Sequence, residues 1–145
     1  MTTTTAMATR TGSNTMTIGV LAGLAGGIVF GMMMLMMGSL AMIAKMIGSD
    51  STLVGFLIHL MISAVFGAAY GLFAKKAVTN GSAVLFGMGY GVILWIVGPL
   101  LMMPLMMGMP SMVFHIEGMQ WMSLMGHIIY GVATALVFLK IKNIR

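Results

Sequence analysis

The chain has very little charge and no cysteine. Charged residues make up 6% of its 145 residues, whereas 60% are hydrophobic. A water-soluble domain carries roughly 25–35% charged residues on its surface, so a soluble fold is excluded. The lack of cysteine excludes disulfides and thiolate metal sites. Asp50 and Glu117 are the only carboxylate side chains, and no nucleophile with a base and an orienting group can be assembled, which argues against an enzyme.

What the chain does contain is four long apolar stretches. A helix needs about 20 mostly apolar residues to cross the hydrocarbon layer, and the predicted spans are residues 16–43, 53–74, 83–105 and 121–141. These runs are continuous and do not alternate every second residue, which excludes the strands of a membrane barrel. The sequence therefore predicts an all-α, polytopic membrane protein. Residues 16–145 form one domain of four transmembrane helices, and residues 1–15 form a disordered, Thr-rich tail.

The few basic residues lie mostly on one side of the predicted spans. With four spans, the segments before the first, after the second and after the fourth share a side of the membrane. Six of the seven basic residues are there: Arg10, Lys75, Lys76, Lys140, Lys142 and Arg145. Basic residues near span ends stay cytoplasmic, so we predict a cell-membrane protein with both termini in the cytoplasm. The basic side chains are expected to contact anionic lipid headgroups and not nucleic acid.

The second half of the chain repeats the first. Gly23 aligns with Gly87 in the first and third spans, and His59 aligns with His127 in the second and fourth. The first and third spans cross the membrane in the same direction. The sequence therefore predicts a duplicated helical hairpin, with a parallel repeat about a pseudo-twofold axis along the membrane normal.

Small residues recur four apart along each predicted helix. In lipid, helices associate where small residues let their backbones approach. We interpret them as helix-packing positions, because a phosphate-binding loop needs a polar setting at a helix N-terminus. The positions are Gly19, Gly23, Gly27, Gly31, Ser63, Gly67, Gly71, Gly87, Gly91, Gly131 and Ala135.

Two prolines fall in the third span, Pro99 inside it and Pro104 near its end. Proline removes a backbone hydrogen bond and kinks a helix. The sequence therefore predicts either a bend that closes the outer end of the bundle or a functional hinge.

Two histidines lie well inside the spans, where ionisable side chains are costly and often functional. His59 and His127 each lie seven residues into their span from its outer end, about 10 Å deep at 1.5 Å per residue. Each shares a helix face with the small residues four and eight positions later, so both imidazoles are predicted to point into the bundle. There they either fix the register of neighbouring helices or form a metal site, a haem site or a proton-responsive pair.

Methionine is unusually frequent, with 21 residues, of which 17 fall on the outer half of the predicted bundle. Thioether sulfur is a soft ligand that selects Cu(I), although methionine also serves as a flexible apolar filler. The uneven distribution favours a metal site, because replacement of leucine by methionine should not depend on the side. The candidate metal ligands are His59, His127, His115, Glu117, Met61 and Met125. Apart from Cu(I), no cofactor is predicted.

Four segments carry a further pattern: the Gly-rich first span, LIHLMISAVFGAAYGLF, GMGYGVILWIVGPLLMMPL and MGHIIYGVATALVFL, together reaching from about Gly19 to Leu139. This pattern resembles a group of small four-span membrane proteins of prokaryotes that has no assigned function. In that group a histidine opens the second and fourth spans, and a Gly-Tyr-Gly-like segment runs into a third span with Trp and Pro. The resemblance implies the four-span topology and no chemistry.

Two classes of function remain open. The sequence favours a structural or accessory component of the membrane or of a larger membrane complex, in which glycines and histidines hold helices together. The alternative is Cu(I) handling or small-solute transport through the paired histidines and the outer methionines. Four helices enclose little space, so a transporter is expected to form at least a dimer. The predicted partners are the lipid bilayer and either further copies of the chain or a larger complex.

Overall fold

Four long apolar helices make up most of the structure, a computed structural model that describes residues 2–74 and 79–144. The helices long and apolar enough to cross a membrane are Asn14–Met36, Thr52–Phe73, Asn80–Met106 and Gly118–Ile144. No strand occurs within the described ranges. The prediction of an all-α fold with four membrane-length helices is therefore confirmed, and it fits a multi-pass membrane protein. The duplication of the hairpin stays a prediction.

The long helices are joined by shorter helical pieces. In chain order the elements are α1 (Thr2–Met36), α2 (Leu40–Lys45), α3 (Thr52–Phe73), α4 (Asn80–Trp95), a π-helical segment (Ile96–Met102), α5 (Met103–Met106), a 3₁₀ turn (Pro110–Met112) and α6 (Gly118–Ile144). The backbone of α1 thus includes the segment for which the sequence predicts a disordered tail. Lys75, Lys76 and Arg145, three of the residues behind the predicted cytoplasmic termini, lie outside the described residues. The side of the membrane stays a prediction.

The first helix ends at Met36, earlier than the predicted span end at residue 43. The cause is Gly38, whose φ of +68° is a left-handed conformation that glycine adopts without steric cost. The Gly38 N–H donates to the Leu35 carbonyl at 3.1 Å and the Ser39 N–H donates to the Met34 carbonyl at 3.0 Å. This pair of bonds is a Schellman motif, which satisfies the last carbonyls of a helix while turning the chain away. Apolar composition alone did not reveal the turn.

After this turn, α2 packs on α3. Leu40 and Ala44 of α2 are fully buried, and a Cβ atom at Gly55 of α3 would overlap the Leu40 carbonyl. The same pair of main-chain bonds ends α2 at Gly48 and α5 at Gly108. All three turns lie at the end of the bundle opposite the chain termini, which we call the distal end.

The third span contains both prolines, and its helix continues through Pro99 with wider turns. Pro99 has no N–H to donate, and the backbone around it follows the wider turns of the π-helical segment. Pro104 likewise cannot donate to the Leu100 carbonyl, four residues earlier. The Phe114 N–H donates to that carbonyl instead, at 3.0 Å. The loop after α5 is thereby tied back to the helix that precedes it.

Close packing in the bundle follows its small residues. α1 packs against both α3 and α6, and α4 packs against α6. A Cβ atom at Gly67 of α3 would lie 2.6 Å from the Gly23 Cα atom of α1. Between α4 and α6, a Cβ atom at Gly87 would lie 2.6 Å from the Gly131 carbonyl oxygen. The backbones therefore touch at these points, where the sequence places helix-packing residues.

The remaining pair, α3 and α4, lacks such close backbone packing within the described residues. These helices are joined by side chains: the Tyr90 hydroxyl donates to the Phe66 carbonyl at 2.6 Å. The rings of Tyr70 and Tyr90 also meet edge to face, with centroids 5.2 Å apart. Backbone packing is thus close at the interfaces of α1 with α3 and α6 and of α4 with α6, and looser between α3 and α4.

We expect Gly67→Val to destabilise the fold, because its side chain would overlap the Gly19 carbonyl and Gly23 backbone. Overpacking of this kind costs about 1–3 kcal/mol of unfolding free energy. The matched control is Gly89→Ala, since a Cβ atom at Gly89 meets no atom within 4 Å. Denaturant unfolding in detergent, followed by circular dichroism, measures both. Equal stabilities of the two variants would contradict the packing described here.

Candidate functional site: the distal cavity

A cavity of about 360 Å³ lies in the distal half of the bundle. Its walls come from all four long helices together with α2, the π-helical segment and α5, and its volume falls in the usual range of small-ligand pockets. Both intramembrane histidines line it. So do nine methionines: Met34, Met37, Met42, Met46, Met102, Met103, Met106, Met119 and Met122.

His59 reaches the cavity from α3 and is 6% exposed. Its Nε2 atom lies 3.0 Å from the Gly27 carbonyl oxygen of α1. Because a carbonyl only accepts, Nε2 carries the proton, and in a neutral imidazole Nδ1 then keeps a free lone pair. The Ser63 hydroxyl donates to the His59 carbonyl at 2.7 Å, one turn along the same helix. His59 therefore ties α3 to α1 and leaves one ring nitrogen for another partner.

His127 reaches the cavity from α6. Its Nδ1 atom lies 2.7 Å from the Ser123 carbonyl oxygen of the preceding turn, so Nδ1 carries the proton and Nε2 keeps the lone pair. A Cβ atom at Gly98 would lie 3.9 Å from that Nε2 atom, so the free nitrogen faces the π-helical segment. A donor bond to a backbone carbonyl is the usual way in which a metal-ligating histidine is oriented.

One aromatic ring contacts both imidazoles. Phe30 of α1 meets His59 at a centroid distance of 5.3 Å and His127 at 4.9 Å, each time edge to face. Phe30 is therefore in contact with both imidazoles. Gly126 makes room for it, since a Cβ atom there would lie 2.6 Å from the Phe30 Cδ2 atom. The sequence did not single out Phe30, although it is the only aromatic residue of the predicted first span.

The other predicted metal ligands lie away from the cavity. The His115 Nε2 atom lies 3.0 Å from a Glu117 carboxylate oxygen, in an exposed contact in the loop before α6. Met61 is 62% exposed and Met125 is 47% exposed, and neither lines the cavity. Each is two positions from a histidine, and side chains two apart do not share a helix face.

The structure brings other methionines to the histidines. Met119, Ser123 and His127 line the cavity together because they are four residues apart on α6. This spacing could have identified Met119 from the sequence. Met34 lies on α1, Met46 directly follows α2 and Met103 begins α5, and no local signal relates them to the histidines.

The chemistry of the lining is soft and uncharged. Methionine and histidine side chains line the cavity, and no Asp, Glu, Lys or Arg is among the described residues that line it. Likewise, no group of three or more His, Cys, Asp and Glu side chains that could hold a metal occurs in residues 2–74 and 79–144. Hard cations such as Mg²⁺ and Ca²⁺ need oxygen ligands. The lining is therefore suited to a soft ion or to an apolar molecule.

No protein-family model, curated protein or solved structure matches this chain. The resemblance to four-span prokaryotic proteins accordingly stays a prediction. What the chain does must be inferred from the geometry of the cavity.

The two histidines are expected to differ in their effect on stability. His59→Leu removes a bond between α3 and α1, whereas His127→Leu removes a bond within α6. A hydrogen bond contributes about 1 kcal/mol on average, so we expect His59→Leu to lower the unfolding free energy by about 1 kcal/mol more than His127→Leu. Denaturant unfolding in detergent measures the difference, with exposed His115→Leu as the unaffected control. A larger loss for His127→Leu would contradict the expected order of the two variants.

Proposed function

We propose that this chain is a multi-pass membrane protein that binds Cu(I) in the distal cavity. The free ring nitrogens of His59 and His127 are the nitrogen ligands, and cavity methionines supply thioether sulfur. One observation carries this proposal: the two intramembrane histidines and nine methionines line the same cavity.

The high frequency of methionine around the cavity favours a role of methionine as a metal ligand over a role as an apolar residue that only fills space. Methionine accounts for more than a third of the residues that line the cavity, but for only 21 of the 145 in the chain. If methionine merely replaced leucine, it would be no more frequent there than at other apolar positions. Thioether sulfur is a soft ligand that selects Cu(I), and imidazole is also a ligand that suits copper.

The low charge of Cu(I) also fits an uncharged site in the membrane. A bare ion in an apolar environment is costly, and direct bonds to protein ligands compensate for the lost hydration. Neutral ligands leave a single net charge inside the bundle, which is the smallest that any metal ion can bring. With the termini in the cytoplasm, the distal cavity receives Cu(I) from the outer side of the cell membrane.

The second candidate is the structural or accessory role that the sequence favours. It is supported by the bonds that link α3 to its neighbours, from His59 to the Gly27 carbonyl and from the Tyr130 hydroxyl to the Ser63 carbonyl at 2.7 Å. In that role the histidine fixes helix register, and the chain acts within a homo-oligomer or a larger membrane complex. The two candidates differ in whether the cavity binds a ligand.

Copper titration of detergent-purified protein, with a competing Cu(I) chelator under reducing conditions, tests the first candidate. We expect stoichiometric binding by the wild type. The double variant His59→Ala/His127→Ala and the triple variant Met34→Leu/Met46→Leu/Met103→Leu should each bind at least about tenfold more weakly. Leucine conserves the side-chain volume of methionine, so the triple variant removes sulfur without emptying the cavity.

The matched control is Met61→Leu/Met125→Leu, which removes two sulfurs outside the cavity and should bind Cu(I) like the wild type. Equal losses in both methionine variants would contradict a site formed by the methionines of the cavity. A wild type that binds no Cu(I) would refute the first candidate, and co-purifying chains would then be sought for the second.

A further inference from the structure

A groove runs between α3 and α4 on the surface of the bundle. It encloses about 240 Å³, and it lies toward the end that carries the chain termini, because α3 ends there at Phe73 and α4 begins there at Asn80. We call it the proximal groove. No charged residue is among the described residues that line it, which are Tyr70, Phe73, Ala74, Leu85, Phe86, Gly89, Tyr90 and Ile93.

The proximal groove is open to the bilayer along its side. Phe73 is 79% exposed and Leu85 is 73% exposed, so these lining side chains also face the lipid. Leu85, Gly89 and Ile93 are four residues apart and share one face of α4. A Cβ atom at Gly89 would meet no atom within 4 Å, so a notch lies between two large side chains. An apolar chain can enter this notch sideways from the membrane.

Two tyrosine rings form the inner wall of the groove. Tyr70 is buried, and its ring meets the ring of Tyr90 edge to face at a centroid distance of 5.2 Å. The Tyr90 hydroxyl donates to the Phe66 carbonyl at 2.6 Å and thereby joins α4 to α3 behind the groove. An occupant of the groove therefore lies between the protein and the bilayer and not inside the bundle.

The length of the groove matches one leaflet of the membrane. Leu85 and Ile93 are eight residues apart, which is about 12 Å of helix at 1.5 Å per residue. The hydrocarbon core is about 30 Å thick, so one leaflet contributes about 15 Å. The predicted third span begins at residue 83, which places Ile93 about 15 Å deep, near the middle of the bilayer. The groove thus has the depth of a lipid acyl chain.

The charges of the chain favour an anionic headgroup at the outer end of this groove. Lys75 and Lys76 directly follow Ala74, which lines the groove. The only two carboxylates of the sequence, Asp50 and Glu117, precede α3 and α6 and therefore lie at the distal end. α4 also begins beside the groove, and the N-terminus of a helix favours negative charge. Basic residues next to a space between membrane helices are typical of binding sites for anionic lipids.

We propose that the proximal groove binds one anionic phospholipid. An acyl chain lies along Leu85, Gly89 and Ile93, and the phosphate lies at the end of the groove where the chain supplies Lys75 and Lys76. A second copy of the protein suits the groove less well. Copies in one membrane have the same orientation, so two facing grooves would bring four lysines together without a carboxylate at that end. The lipid site does not depend on Cu(I) binding in the distal cavity.

Native mass spectrometry of the detergent-purified chain tests this site, with phosphatidylglycerol and phosphatidylcholine of the same acyl chains as probes. We expect the wild type to retain one phosphatidylglycerol in preference to phosphatidylcholine. Gly89→Leu should lose the retained lipid, because leucine fills the notch. Lys75→Gln/Lys76→Gln should lower the preference for phosphatidylglycerol at least about fivefold, the contribution of one basic residue near an anionic lipid surface.

Two matched controls act at the distal end. Gly118→Leu adds the same side chain at another position where a Cβ atom meets no atom within 4 Å, and Lys45→Gln removes a positive charge at the end of α2. Both variants should retain phosphatidylglycerol like the wild type. A loss in Gly118→Leu equal to that in Gly89→Leu would show that the effect is not specific to the groove and would overturn the proposal.

Equal retention of the two lipids by the wild type would also overturn the proposal, as would unchanged retention in Gly89→Leu. If Gly89→Leu does not fold, the lysine variant decides alone, and an unchanged preference refutes the site. The same spectra give the oligomeric state. A wild-type dimer that Gly89→Leu converts to a monomer, with no lipid lost, would assign the groove to a second copy and refute the lipid site.

Discussion

The close approach of helix backbones in lipid is the constraint on which the rest of this structure depends. Burying leucine gains little in a membrane, so helices must associate through van der Waals contact between small residues. Gly23 and Gly67 meet this requirement between α1 and α3, as do Gly87 and Gly131 between α4 and α6. Because these contacts determine which helices pack together, they also determine which residues on the remaining helix faces come close to one another.

The distal cavity occurs in a bundle in which only some of the helix pairs have close backbone packing. α1 approaches α6 at Gly26, whereas α3 and α4 lack close backbone packing in the described parts of the chain and are joined through the Tyr90 side chain. A bundle that was tight on every side would leave no internal space between four helices. Phe66 of α3 and Leu94 of α4 line the distal cavity together with His59 and His127. The positions of small and large residues along the helices therefore affect both the packing of the bundle and the surroundings of the candidate site.

Much of the fold could be predicted from composition and periodicity, because apolar length and small-residue spacing are local properties. The four spans, and the inward direction of His59, were accessible in this way. The end of α1 was not, because it depends on the backbone conformation of Gly38, which looks like any other glycine in an apolar run. The sequence does not show which methionines accompany the histidines, and Met61 and Met125, which it offers as candidate ligands, lie outside the cavity. Met34, Met46 and Met103 reach the cavity only through tertiary structure.

The three glycine turns at the distal end have an evolutionary consequence. Each is held by main-chain hydrogen bonds, at Gly38, Gly48 and Gly108, and the Phe114 N–H secures the adjoining loop in the same way. None of these bonds involves the side chains that line the cavity. Mutation can therefore exchange methionine for leucine, or introduce other residues there, without altering the course of the chain around the rim. The residues that line the cavity can therefore change, and with them the preferred ligand, while the backbone turns at the distal end are conserved.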